Sequence, residues 1–288
     1  MANAFRLRRL AHVALTTPDP RAQAAFYEEH VGLERAAEDG RGTVYLRTNA
    51  DHHCLALFRG DRPGVHHVAF ELGSREELAE AAAALDRAGV PRADPWEEAG
   101  QGHAVAYRDP EGHVIELVAG VEQIVERLRP REVRPRKVGH VGIRVRDIHG
   151  LCDFYTRHFG FRVSDWIGEQ LVFLRCNPDH HSLVLIHHPA DTVRVHHVAY
   201  EVPGWEDFLR QADLLHRDGR SLIWGPGRHA PSDNLFLYFR DADRNTIEFM
   251  TAIAQIWDED KHAPRVFDPK VPQTFNLWGI LPPPDFFD

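Results

Sequence analysis

Two pieces of the segment Val195 to Met250 decide how this chain folds: V-H-H-V-A-Y-E-V (195–202) and G-P-G-R-H-A-P-S-D-N-L-F-L-Y-F-R-D-A-D-R-N-T-I-E-F-M (225–250). Successive side chains of a strand point to opposite faces. As a strand, the first piece therefore puts His197, Ala199 and Glu201 on one side and the apolar Val198, Tyr200 and Val202 on the other. In the second piece Phe236, Tyr238 and Arg240 alternate with Leu235, Leu237 and Phe239, and Thr246, Glu248 and Met250 lie opposite Ile247 and Phe249. His197, Tyr238 and Glu248 can thus look into one concavity. A further strand, K-V-G-H-V-G-I-R-V (137–145), supplies His140 on the face that also carries the side-chain-free Gly142. Two histidines and one carboxylate from three strands form the facial set that holds a non-haem Fe(II) with open coordination positions.

The same pattern occurs earlier in the chain. L-A-H-V-A-L (10–15) matches V-G-H-V-G-I (138–143), N-A-D-H-H-C-L-A-L-F matches N-P-D-H-H-S-L-V-L-I, V-H-H-V-A-F-E-L matches V-H-H-V-A-Y-E-V, and Y-R-D-P-E-G-H-V-I-E matches F-R-D-A-D-R-N-T-I-E. The intervals agree: His12 to His67 is 55 positions and His67 to Glu116 is 49, against 57 from His140 to His197 and 51 from there to Glu248. Internal repetition at this length means two domains of one ancestry, residues 1–120 and 138–253. Each copy halves again into strand, amphipathic helix (21–30 and 75–88 in the first copy), glycine and further strands. The expected class is α+β: four βαβββ modules paired into curled sheets, each pair enclosing a cup. Between the copies, residues 121–137 read as a helix that breaks at Pro130 into a charged linker, and a Pro- and aromatic-rich tail (254–288) is expected to cover the second domain or an oligomer contact.

Bulk properties narrow the function. A net charge of −9 without a basic stripe argues against nucleic acid and anionic membrane surfaces. No apolar run reaches the roughly 18 residues of a membrane span, and the N-terminus lacks a signal-peptide core, so a cytoplasmic protein is expected. Cys54, Cys152 and Cys176 are isolated and read as small core residues. The excess is in histidine, with 20 residues, several in His-His pairs. Because both copies carry the pair 196/197 or its counterpart, repetition cannot choose between His196 and His197. Strand parity selects His197, leaving His196 pointing outward.

Over residues 8 to 253 the chain closely resembles the vicinal oxygen chelate superfamily, and within it the type I extradiol ring-cleavage dioxygenases of the catechol 2,3-dioxygenase kind. The most specific part is G-P-x-R-H, then Tyr nine residues after the His in L-F-L-Y-F-R-D, then Glu ten residues later in T-I-E-F. The resemblance implies metal ligands His140, His197 and Glu248, holding Fe(II) or alternatively Mn(II). It implies that His229 and Tyr238 hydrogen-bond the substrate hydroxyls and that His181 is an acid-base group beside the oxygen site. The reaction implied is O2-dependent opening of a catechol-type ring to a semialdehyde, in a homo-oligomer, dimer or tetramer. Gly142 departs from the polar residue some relatives carry there. Arg228, Arg240 and Arg265 could meet a substrate carboxylate but read more simply as surface residues.

In the first copy His12, His67 and Glu116 repeat the ligand set, but the interval count places Ala106 where Tyr238 stands and Glu97 where His229 stands. That copy is therefore expected to be a non-catalytic scaffold. The competing reading of the whole chain is a glyoxalase-like metal-dependent lyase or isomerase, since two His and one Glu do not by themselves name the metal. A metal-free protein that sequesters aromatic compounds is a third reading, disfavoured by the intact ligand trio.

Overall fold

A computed structural model describes residues 5–189 and 195–287. Residues 1–4, 190–194 and 288, which include the outer ends of the expected first domain and tail, lie outside the description. The first copy runs β1 (Arg9–Thr17), α1 (Pro20–Phe26) continued by one π-turn, β2 (Glu34–Glu38), β3 (Val44–Arg47), β4 (Leu55–Arg59), β5 (Gly64–Glu71), α2 (Arg75–Arg87), β6 (His103–Arg108) and β7 (Val114–Ala119). The second runs β8 (Lys137–Val145), α3 (Ile148–Phe159), β9 (Arg162–Ile167), β10 (Leu171–Arg175), β11 (Leu183–His187), β12 (Val195–Glu201), α4 (Trp205–Arg217), β13 (Trp224–Arg228), β14 (Leu235–Arg240) and β15 (Thr246–Thr251). Three modules carry three strands after the helix. The second carries two, because the segment corresponding to β13, residues 91–102, is irregular apart from a bridge between Arg92 and Tyr107.

The first three helices, α1, α2 and α3, begin where the sequence offers side-chain acceptors. Asp19 Oδ1 accepts from Ala22 N at 3.1 Å with Pro20 in the first turn, Asp147 Oδ1 accepts from Gly150 N at 2.8 Å, and Ser74 Oγ accepts from Glu77 N at 3.2 Å. Glu77 reaches back to Gly73 N, closing a capping arrangement around the start of α2. Gly160, at φ +74, ends α3 in the left-handed conformation that a side chain would resist.

The strands form two sheets, of seven strands in the order β2-β3-β4-β1-β5-β7-β6 and of nine in the order β13-β14-β15-β12-β8-β11-β10-β9-β16, where β16 (Arg265–Phe267) belongs to the tail. One apolar core joins them: Phe26 stacks on Phe239 and Phe70 packs edge-on against Phe161. The copies also exchange hydrogen bonds. Tyr27 OH of the first donates to Asp241 of the second at 3.0 Å, and Tyr155 OH of the second donates to Asp109 of the first at 2.8 Å. The three cysteines are buried and unpaired. No helix among the described residues is long and apolar enough to cross a membrane.

The helix expected before Pro130 does not form. Residues 121–136 run irregularly because their amides bond to loops of the first copy, Glu122 N to Gly100 O and Ile124 N to Ala50 O, instead of to their own preceding turn. The tail lies over the second domain. It adds β16 beside β9 at one sheet edge, makes one turn of helix, α5 (Pro272–Phe275), and bonds β13 at the opposite edge through Leu277 N to Arg228 O and Trp224 Nε1 to Ile280 O. It therefore spans the mouth of the cup.

Candidate active site

Ladder register aligns the site. His140 (β8), Ala199 (β12), Glu248 (β15) and Tyr238 (β14) form one row across four strands, because Ala199 pairs with both His140 and Glu248, and Tyr238 pairs with Glu248. Residues directly opposite in a ladder share a face, so all four face the cup. The small Ala199 leaves a hollow between the imidazole and the carboxylate. His197, one row further, pairs with Gly142. A Cβ on Gly142 would come 2.4 Å from the His197 ring, so the absent side chain admits that ring.

His140 Nε2 lies 3.0 Å from His197 Nε2 and 3.1 Å from Glu248 Oε2, and His197 Nε2 lies 3.5 Å from the same carboxylate oxygen. Two ligands at right angles on an ion with bonds of about 2.1 Å stand about 3 Å apart. The spacing and the donor types, two imidazoles and one carboxylate, fit a divalent transition ion bound on one face. All three side chains are buried.

Hydrogen-bond partners assign the tautomers. The carbonyl of Phe286 can only accept, so His196 carries its proton on Nε2 and donates at 2.8 Å. His196 Nδ1 then accepts from His197 Nδ1–H at 2.7 Å, which leaves the His197 Nε2 lone pair aimed into the cluster. The outward-pointing His196 expected from parity is corrected here. A register shift between Val195 and His197 in the β12–β8 ladder breaks the alternation, and His196 is buried under Phe286.

A second His-His pair repeats the device. His180 Nε2–H donates to Asp165 at 2.9 Å and its Nδ1 accepts from His181 Nδ1–H at 3.0 Å, so His181 presents an unprotonated Nε2. The His181 ring lies 4.1 Å from that of His140. His229 Nδ1–H donates to the Phe275 carbonyl at 2.7 Å, and its Nε2 accepts from Tyr238 OH at 3.1 Å. Burial, reinforced by neighbouring imidazoles, holds His181 and His197 well below the usual imidazole range, and burial also lowers His229. Burial and the nearby Glu248 push the Tyr238 phenol well up. Burial alone would raise the Glu248 carboxyl, but attraction to His140, the close His140 Nε2 contact and attraction to His229 hold it below its ordinary value.

These groups meet at the end of a narrow cavity of about 40 Å³. Its walls are apolar: Leu171, Phe173 and Ile186 from the sheet, and Phe275, Phe286 and Phe287 from the tail. Arg228, Arg240 and Arg265 are not among the lining residues. They pair with Asp233, Thr246 and Asp165 respectively.

Sequence reasoning did not single out Asn234. Its Nδ2 donates to Glu248 Oε1 at 3.2 Å, and Ser232 Oγ fixes the amide by donating to Asn234 Oδ1 at 2.6 Å. A polar residue directly before the strand L-F-L-Y-F was the available signal. In the first copy Glu97 turns outward to Arg41, and the neighbouring Glu98 enters the cup instead.

The Glyoxalase/Bleomycin resistance protein/Dioxygenase superfamily model matches residues 9–117 and 137–249. The chain belongs to that superfamily. It is 29% identical over 278 residues to the manganese-dependent 2,3-dihydroxybiphenyl 1,2-dioxygenase of Geobacillus genomosp. 3, covering 88% of each chain. It is 25% identical over 296 residues to an iron-dependent extradiol dioxygenase of Rhodococcus jostii, covering 95% of this chain and 96% of that one. Among solved structures, the Mn(II)-bound glyoxalase from Novosphingobium aromaticivorans superposes with a TM-score of 0.87 at 28% identity, over 99% of this chain and 98% of that one.

Proposed function

We propose that the protein is an extradiol dioxygenase, opening the ring of a catechol-type substrate with O2 to give a semialdehyde, with Fe(II), or alternatively Mn(II), held by His140, His197 and Glu248. The observation that carries this reading is the set Tyr238, His229 and His181 around the ligand trio at the base of one apolar cavity. Chain-long likeness to extradiol enzymes supports it. When bound, the ion supplies a chelation point for the diol and a path for electrons between diol and O2.

The remaining work falls to side chains. Tyr238 donates to His229, so its oxygen has lone pairs free to accept a hydroxyl proton from the diol. As that proton arrives, the phenolic proton can pass to His229 Nε2, and the phenol never has to become an anion, which burial opposes. The imidazolium so formed keeps its Nδ1–H on the Phe275 carbonyl. His181, neutral with an open Nε2, can take one proton and return it at the same atom to the product. The apolar walls exclude water and favour an uncharged ring substituent over a carboxylate.

The protein is read as cytoplasmic and homo-oligomeric. The exposed apolar side chains Trp278, Ile280 and Leu281 on the tail support a self-association surface. The competing lyase reading is favoured by the likeness to the Mn(II)-bound glyoxalase structure. To decide, anaerobic Fe(II)-loaded protein is mixed with a catechol and then with air: a yellow product with matching O2 uptake supports the proposal. Turnover of a thiol hemiacetal without O2 uptake would replace it with the lyase.

A further inference from the structure

The cup of the first copy also gathers metal-ligand groups, and they are not a fading imprint of the second. His12 (β1), Ala69 (β5), Glu116 (β7) and Ala106 (β6) form the same row as His140, Ala199, Glu248 and Tyr238, again with an alanine hollow between imidazole and carboxylate. His12 Nε2 and His67 Nε2 stand 2.8 Å apart, each 3.5 Å from Glu116 Oε2. The difference is a fourth donor. Glu98 lies on the irregular segment that replaces the β13 counterpart, and its carboxylate bridges the two imidazoles, Oε1 at 3.2 Å from His12 Nε2 and Oε2 at 3.3 Å from His67 Nε2.

We infer that His12, His67, Glu98 and Glu116 form a second metal site, closed and structural, for a divalent first-row transition ion of the Zn(II) type. One ligand atom from each of the four groups lies within 4.8 Å of the others. Two carboxylates and two neutral imidazoles balance a dication, and ligands on a four-coordinate ion with bonds of about 2.1 Å stand roughly 3.4 Å apart. The four side chains are at most 2% exposed. Two carboxylates brought that deep together without a cation would carry an unbalanced desolvation cost.

The surroundings orient the set as a ligand shell. Glu98 Oε1 is held by His53 Nε2 at 2.8 Å, Glu98 Oε2 accepts from Trp96 Nε1 at 3.0 Å, and His67 Nδ1 meets His66 Nδ1 at 2.8 Å. His53 and His181 are counterparts in the duplication, so one copy spends this histidine on fixing a ligand and the other leaves its Nε2 facing the cavity. The bridging carboxylate stands in front of the two imidazoles, where the second copy keeps open space, and Ala106 offers no hydroxyl. The site accordingly has donors for an ion but none of the groups for diol chemistry. Its effect is on the fold: it ties β1, β5 and β7 to the segment 91–102.

The test is metal stoichiometry on the full-length protein, metal-stripped and then equilibrated with excess Zn(II) followed by gel filtration. Two equivalents are expected for the unaltered chain, one for Glu98→Gln, and one for His140→Ala, with the double variant near zero. Zn(II) should raise the melting temperature of His140→Ala and not that of His140→Ala/Glu98→Gln. Should Glu98→Gln fail to fold, Trp96→Phe, which removes one bond to Glu98, replaces it, with Zn(II) binding at the first cup expected to weaken about 10-fold or more. One equivalent in the unaltered chain, lost entirely with His140→Ala, would overturn the second site. None of these readouts depends on turnover, so the result stands apart from the ring-cleavage assay.

Discussion

His196 donates its Nε2–H to the main-chain carbonyl of Phe286, joining residue 286 to His197, a proposed metal ligand, through one intervening imidazole. The Phe286 ring does something separate, packing on Tyr238 and Trp224 over the cavity. The two roles can be divided. Phe286→Ala keeps the carbonyl, so metal affinity should hold while KM for an apolar catechol rises several-fold. Ending the chain at Pro284 removes carbonyl and ring together, and metal affinity should also fall by about 10- to 100-fold. Equal metal affinity in both forms, measured by competition with a chelator, would show that His196 does not need the tail.

Replacing the Tyr238 hydroxyl tests the proton path. Tyr238→Phe leaves the ring stacked on Trp224 and the ligand trio untouched, but breaks the link to His229. Metal content should match the unaltered protein and kcat should fall by roughly 100- to 10,000-fold, the usual span for a general acid-base group. A kcat within a factor of three, followed by O2 electrode, would remove Tyr238 from the relay.

Asn234 acts through Glu248. Its Nδ2 donates to Oε1, while Oε2 faces the two imidazoles. Asn234→Asp keeps the shape and puts a second acceptor against the carboxylate, so metal binding should weaken by at least about 10-fold. Asn234→Ala, which merely removes the donor, should do less harm. The reverse order in metal titrations would mean that Asn234 fills space instead of orienting a ligand.

Strand parity made part of the second cup readable, because Glu248 and Tyr238 sit on ladders without register shifts, where alternation holds. It failed at His196, where a bulge breaks the alternation. His181 needed the family resemblance, since it lies in a turn to which no periodicity applies. Glu98 was passed over for Glu97 because counting along the repeat assumes that both copies keep the same strand, and the first copy has replaced it with an irregular segment. Likewise residues 121–137 read as a helix breaking at Pro130 into a charged linker, but a sequence does not display the amide acceptors that nearby loops of the first copy provide. What escaped in each case was a contact between segments distant in the chain.

The exchange of hydrogen bonds between the copies carries a pH dependence. Burial pushes the Asp241 carboxyl up from 3.8 to about 6, although Asn245 and Tyr27 donate to it and act in the opposite sense. Its folded value thus lies above its unfolded one, so the folded state keeps this proton at pH values where the unfolded chain has released it. The contribution to stability is fully present below pH 4 and is lost as pH rises through about 6. A shift of that size corresponds to on the order of 3 kcal/mol. Asp241→Asn cannot titrate, so the difference in unfolding free energy between it and the unaltered protein should move in the variant's favour between pH 4 and pH 7, read from urea midpoints at constant ionic strength. Parallel curves for the two proteins would mean that Asp241 is ionised throughout, held by its donors from Tyr27, Gln23 and Asn245.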